Sequence, residues 1–366
     1  MVRIVHLFIP RENSTLFSLP MDQFLAWFTE YMNYVNHLIF IRNVFALLCI
    51  AVCAFSVLSN LIVVTVFLKD GFKATTNISF FALGVSDILV SIVWGVYHFQ
   101  NHSVISDLTA SIGKYMESHV TPAAEVLSTV GSWITVVITW ERLCCIAFPL
   151  KVKRIFSKKM VLGLLIGGAV YGLLALIYIF IANYVREVGI SQLVYGSFND
   201  SRGFEYNYIT NVDTLLLGRA MKLYGSIVLS YIPNFIFYGL IFVGTILLIA
   251  AFIRSVYLKK TLTEKKGSMK MSTKELKIIQ SVILICIIYI STCAPKNAYK
   301  LQDNLLQVNW MPSIFIFLRE DAVDLIQAFN HALNLFVYLA VNSNFREQFK
   351  HIFCVCCFGT SSNKKK

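Results

Sequence analysis

The sequence predicts an all-α membrane protein, a seven-transmembrane helix bundle followed by a short amphipathic eighth helix. Three observations predict it. Of the 366 residues, 57% are hydrophobic and only 14% are charged, against about 25% charged in a soluble globule. Seven apolar stretches approach or exceed the roughly 20 residues that cross a bilayer at about 1.5 Å rise each. The basic residues gather in alternate connecting segments. The net charge of +12 therefore belongs to membrane-flanking loops, not to a nucleic-acid-binding face.

The spans follow in order. Span one, 43–68, has no charge, span two, 77–100, contains Asp87, and span three, 120–140, contains Glu125. Spans four and five, 160–185 and 223–253, are uncharged. Span five would be about 46 Å long as a helix, so its inner end projects beyond the hydrocarbon. Spans six and seven, 278–295 and 325–341, are shorter, and their outer turns carry polar groups that a bundle can turn inward. The resulting organisation is an extracellular tail over 1–42, a transmembrane domain over 43–341, and a cytoplasmic amphipathic helix and tail over 342–366.

Loop charge sets the orientation. Segments 69–75, 148–159, 254–277 and 342–366 hold 20 Lys and Arg in 68 residues, whereas the alternate segments hold 11 in 127. The dense set is expected in the cytoplasm, with the N-terminus outside. The sequons at Asn13, Asn101 and Asn199 then lie on the glycosylated side, and the one at Asn77 lies on the silent side. The stretch 4–10 is too short for a signal-peptide core and Arg11 interrupts it, so span one is expected to direct its own insertion. None of the nine cysteines falls in an outer loop, so no extracellular disulfide is expected. No metal-ligand spacing occurs either.

Several residues have a physical task. Asp87 at mid-membrane must be neutralised, paired or bound to a cation. Asn330 and Asn334, one turn apart on span seven, can face it, and Asn60 on span one belongs to the same polar level. Arg142 ends span three beside Glu141, where a charge is costly unless paired. Pro233 in span five and Pro295 in span six each free a backbone carbonyl and kink the helix. Phe345, Phe349 and Phe353 recur every four residues, one face of a helix lying on the inner membrane. Cys354, Cys356 and Cys357 just beyond are palmitoylation candidates.

These features resemble the rhodopsin-like G-protein-coupled receptors over about 43–358. Glu141-Arg142-Leu143 resembles that family's acidic-Arg-aromatic motif, and Asn334-Leu335-Phe336-Val337-Tyr338 its Asn-Pro-x-x-Tyr motif with Leu335 replacing the proline. The resemblance implies a switch in which Arg142 pairs with Glu141 and with Glu275 at the start of span six. Opening the bundle releases Arg142 to a heterotrimeric G-protein while Tyr338 swings inward. It also implies a sodium-binding core at Asn60, Asp87, Asn330 and Asn334, although Gly131 stands where the family carries a serine. Cys293 stands in place of the usual span-six tryptophan, Glu117 in place of the outer cysteine, and Ala328 in place of the retinal lysine of opsins. Arrestin and a receptor kinase are implied partners, with serines and threonines in 255–273 and 360–362 as phosphate acceptors.

The outer halves carry Glu125, Arg219, Lys222, Lys296, Asn297 and Asp324. Two readings stand side by side. One is internal pairing, with Lys296 joining Asp324 or Glu125. The other is a polar pocket for a small molecule or peptide. The loops around Lys69 and Pro149 are most similar to molluscan chemosensory receptors and FMRFamide-type peptide receptors, so the ligand expected is a waterborne cue or a neuropeptide. The alternative class is a ligand-gated channel or small transporter, against which the absence of internal repeats counts. An intramembrane enzyme would need a nucleophile–base set, and the histidines at 98, 102, 119 and 331 do not build one.

Overall fold

The computed structural model describes residues 21–72, 74–101, 110–148, 151–195, 209–262, 273–301 and 313–357. Among them there is no strand. The helices are α1 (Met21–Asp70), α2 (Thr75–Asn101), α3 (Ala110–Ala147), α4 (Val152–Ile155), α5 (Lys158–Tyr195) and α6 (Ile209–Ser226). A π-helical turn, Ile227–Tyr231, leads into α7 (Ile232–Leu262). Then come α8 (Thr273–Leu301), α9 (Ser313–Ala332), α10 (Asn334–Val341) and α11 (Ser343–Cys357).

Six helical stretches among the described residues are long and apolar enough to cross a membrane: Phe28–Asp70, Thr75–Gln100, His119–Ala147, Lys158–Arg186, Leu216–Tyr257 and Lys277–Lys300. Their outward faces are apolar. On α5, Leu162, Ile166, Val170, Leu173, Ile177 and Ile181 are all exposed, a surface that water would penalise and lipid would not. This architecture is compatible with a multi-pass membrane protein. α1 starts at Met21, inside the segment read from sequence as a tail, and its 50 residues rise about 75 Å.

The stretch read as a seventh span is divided between α9 and α10. The division is local: Leu333 keeps helical angles and its N–H still reaches the Phe329 carbonyl at 3.0 Å. The outer turns of α9 carry Arg319, Glu320, Asp321 and Asp324. That charge leaves it outside the six apolar stretches. Arg346 donates to the carbonyls of Leu339 and Ala340 at 2.9 and 2.7 Å, satisfying orphan acceptors at the end of α10. Asn342 then caps α11, its side-chain oxygen accepting the Phe345 N–H at 3.1 Å.

The helices close into a ring. α1 packs on α2 and α9, α2 on α3, α5 on α6, and α7 and α9 on α8, while α3 also touches α5, α7 and α8. The main core fills the Arg142 end of the ring, with Phe67, Phe80, Ile138, Leu335 and Tyr338 among its members. A smaller one, around Val90, Trp94, Ala124 and Ala328, fills the opposite half.

Two local devices set helix spacing. Gly168 and Gly172 on α5 face α3, where small residues let backbones approach. A Cβ at Gly168 would lie 2.3 Å from Trp133 Cδ1. The same indole donates to the Leu164 carbonyl at 2.9 Å. Gly168→Ala is expected to displace Trp133, break that bond and cost on the order of 1–3 kcal/mol, read as a lowered melting midpoint of purified protein. The second device surrounds Pro233, which has no N–H for the carbonyl four residues back, that of Leu229. The Tyr171 hydroxyl from α5 donates to it at 2.6 Å, and the π turn absorbs the mismatch.

Candidate functional site: three polar clusters along α3

Three polar clusters lie at three depths of the bundle, and α3 contributes to or borders each. At its C-terminal end Glu141 is 1% and Arg142 9% exposed. Arg142 Nη2 donates to Glu141 Oε1 at 3.1 Å. The same oxygen accepts the hydroxyl of Thr75, and Thr76 Oγ1 lies 3.5 Å away. Both threonines sit in the first turn of α2, which the turn at Gly71, φ +78°, places against α3. Only a residue tolerant of positive φ makes that turn at low cost. Asn77 fixes it further, donating to Asp70 Oδ2 at 2.7 Å and to the Gly71 carbonyl at 3.0 Å. Glu275 lies on α8, but its side chain is outside the described residues. Tyr338 packs against Phe67, Phe80 and Phe345 at 5.5, 5.0 and 5.4 Å between ring centroids.

Midway through the bundle Asp87 is 2% exposed. Asn334 Nδ2 donates to its Oδ2 at 2.7 Å, and His331 Nδ1 lies 2.7 Å from its Oδ1. Asn60 does not bond to the carboxylate. Its amide donates to the backbone carbonyls of His331 and Ser56 at 2.8 and 2.9 Å. Asn330 borders a small cavity shared with Asp87, Ser128 and Thr135 without bonding to the carboxylate. The polar level is therefore built on a histidine more than on the paired asparagines. A sequence signal for it existed: Asp324, Gln327 and His331 are spaced by three and four, one face of a helix.

At the far end every described charge of the candidate pocket has an internal partner except one. Lys296 Nζ lies 3.5 Å from Asp324 Oδ1 and donates to Gln327 Oε1 at 2.6 Å. It also stands 4.4 Å above the Trp94 ring, a favourable cation–π distance. Glu125 pairs not with Lys296 but with Lys300, one turn further along α8, at 2.5 Å. Gln327 donates to Ser128 Oγ at 2.9 Å, and Arg42 on α1 reaches Asp321 at 3.4 Å. Asn297 is half-buried on α8.

Arg219 is exposed on α6. Its neighbour Gly218 is pressed against the Arg186 backbone, and one residue of helix turns the next side chain about 100° away. The side chains of Lys222, Asn101, Cys354, Cys356 and Cys357 are outside the described residues, as are Asn13 and Asn199 altogether.

α3 and α8 are joined at each level. Lys300 meets Glu125, the Tyr289 hydroxyl donates to Ser132 at 2.7 Å, and Cys286 lies 3.1 Å from Thr139. Pro295 interrupts α8 between the first contact and the other two. Tyr289, four residues before Cys293, supplies the aromatic side chain that joins α8 to α3 here. No protein-family model matches this chain, and no curated protein matches it.

Proposed function

We propose that the chain is a seven-span receptor of the rhodopsin-like type. It stands in the plasma membrane with its N-terminus outside, and α9 and α10 together form the seventh span. α11 is the amphipathic eighth helix, with the Phe349 and Phe353 rings tilted against each other at 5.0 Å on the apolar face that packs against the main core. An extracellular ligand acts on the outer charges, and a heterotrimeric G-protein is activated through Arg142.

One observation carries this reading most: the buried latch of Arg142, Glu141, Thr75 and Thr76. A charged pair buried at a helix end contributes little net stability against an apolar substitute, so its presence points to a switch. In the described state Glu141 holds Arg142. A two-state element of this kind needs a lever, and α8 supplies one. Its outer turns are tied to α3 and α9 through Lys300 and Lys296, with Pro295 just before them. A zwitterionic cue or peptide that competes for Glu125, Asp324 or the two lysines loosens those ties. Pro295 lacks the N–H that would hold the Ser291 carbonyl, and this weak point lets the inner half of α8 respond.

The test is a screen of waterborne small molecules and neuropeptides on cells expressing the chain, read by calcium, cAMP and membrane current together. The reading expects second-messenger responses that vanish when G-proteins are inactivated. A ligand-gated current that persists without G-proteins would overturn it in favour of a channel.

A further inference from the structure

The resemblance to rhodopsin-like receptors implies a sodium ion at the polar core, but the residues present do not fit one. A hard cation needs several oxygen ligands around it. Asp87 offers two oxygens, and each is already met at 2.7 Å, Oδ1 by His331 Nδ1 and Oδ2 by the Asn334 amide. Gly131 brings no side-chain oxygen. The Ser132 hydroxyl donates to the Ser128 carbonyl at 2.8 Å and accepts from Tyr289. The Thr135 hydroxyl donates to the Gly131 carbonyl at 3.0 Å. The cavity left beside Asp87 is about 10 Å³, no more than one water position.

We infer that His331 is a tethered substitute for that ion, and that the conformational equilibrium of this chain is indifferent to sodium. With Asp87 ionised, the carboxylate only accepts, and Nδ1 then carries the proton that faces it. That N–H is present in the neutral δ tautomer and in the imidazolium alike, so the position stays filled in both. The ring is held in place from behind. Asn60, anchored on Ser56, grips the backbone carbonyl of His331 at 2.8 Å. The Asp87–His331 pair is 3% and 5% exposed, and a buried carboxylate with a fixed partner has no need of a mobile one.

The inference goes beyond the receptor reading and is tested without agonist or G-protein. Purified full-length protein in nanodiscs of neutral lipid is melted in NaCl and in choline chloride at equal ionic strength. The wild type is expected to melt at the same temperature in both. His331→Ser opens the ring volume and adds a hydroxyl. It is expected to melt higher in NaCl by on the order of a few degrees once sodium exceeds its dissociation constant about tenfold. That gain should vanish in the double variant His331→Ser with Asp87→Asn. A wild-type midpoint that rises with sodium overturns the inference, as does a folded His331→Ser variant that melts identically in both salts. If His331→Ser does not fold, the wild-type comparison decides alone.

Discussion

Arg142→Ala is expected to reduce nucleotide exchange on the G-protein to background while the protein still reaches the cell surface. The side chain is 9% exposed and its charge is met by Glu141 at 3.1 Å. Removing it leaves Glu141 with the Thr75 hydroxyl and Thr76 close by, so the carboxylate is not stranded and the fold tolerates the change. What is lost is the cation that the proposed open state presents. Basal and agonist-driven exchange, normalised to surface expression, measure it. Signalling at the wild-type level would show that the latch is a structural pair only. Arg142→Lys separates the two roles further, since an ammonium keeps the charge without the planar fork of guanidinium.

Glu125→Ala should give the largest loss of stability, on the order of 3 kcal/mol, because it removes the carboxylate that meets the Lys300 ammonium in a partly dry site, leaving the Tyr231 ring at 4.3 Å as a weaker partner. The two side chains meet at 2.5 Å and are 16% and 11% exposed. The contact also ties α8 to α3 above Pro295. A fall in melting midpoint on the order of 5 °C follows for a bundle of this size. The double variant Glu125→Ala with Lys300→Met should recover most of the loss, since removing both charges abolishes the desolvation cost. A double variant as unstable as the single one would show that Glu125 acts through another partner. A ligand response that survives in the double variant would place recognition on Lys296 and Asp324 instead.

Sequence and structure agree where a single helix decides the outcome. Apolar runs long enough for a bilayer are visible residue by residue, and six of them stand as long apolar helices. Glu141 and Arg142 are neighbours in the chain, and their pairing needs no distant element. The stretch 325–341 was less readable because its outer turns mix charge with apolar residues, and it divides at Leu333. The pairing of Lys296 was open between Asp324 and Glu125. Asp324 faces it on α9, while Lys300, one turn along, takes Glu125. The sequence assigns His331 no task and places Asn60 at the polar level of Asp87. In the bundle Asn60 holds the histidine and the histidine holds the aspartate.

The amino-acid sequence was sufficient for what the bilayer dictates: which stretches are apolar, how long they are, where basic loops fall, and which charges inside them demand a partner. Each of these is a property of one segment and its solvent. Partner choice belongs to the tertiary structure. A helix turns about 100° and rises about 1.5 Å per residue, so one residue of slip between two helices carries a side chain to another face. The phase and height of α8 and α9 against α3 are fixed by contacts such as Tyr289 with Ser132 and Gln327 with Ser128. Those contacts join residues far apart in the chain, and they decide that Lys300 meets Glu125 and that His331 meets Asp87.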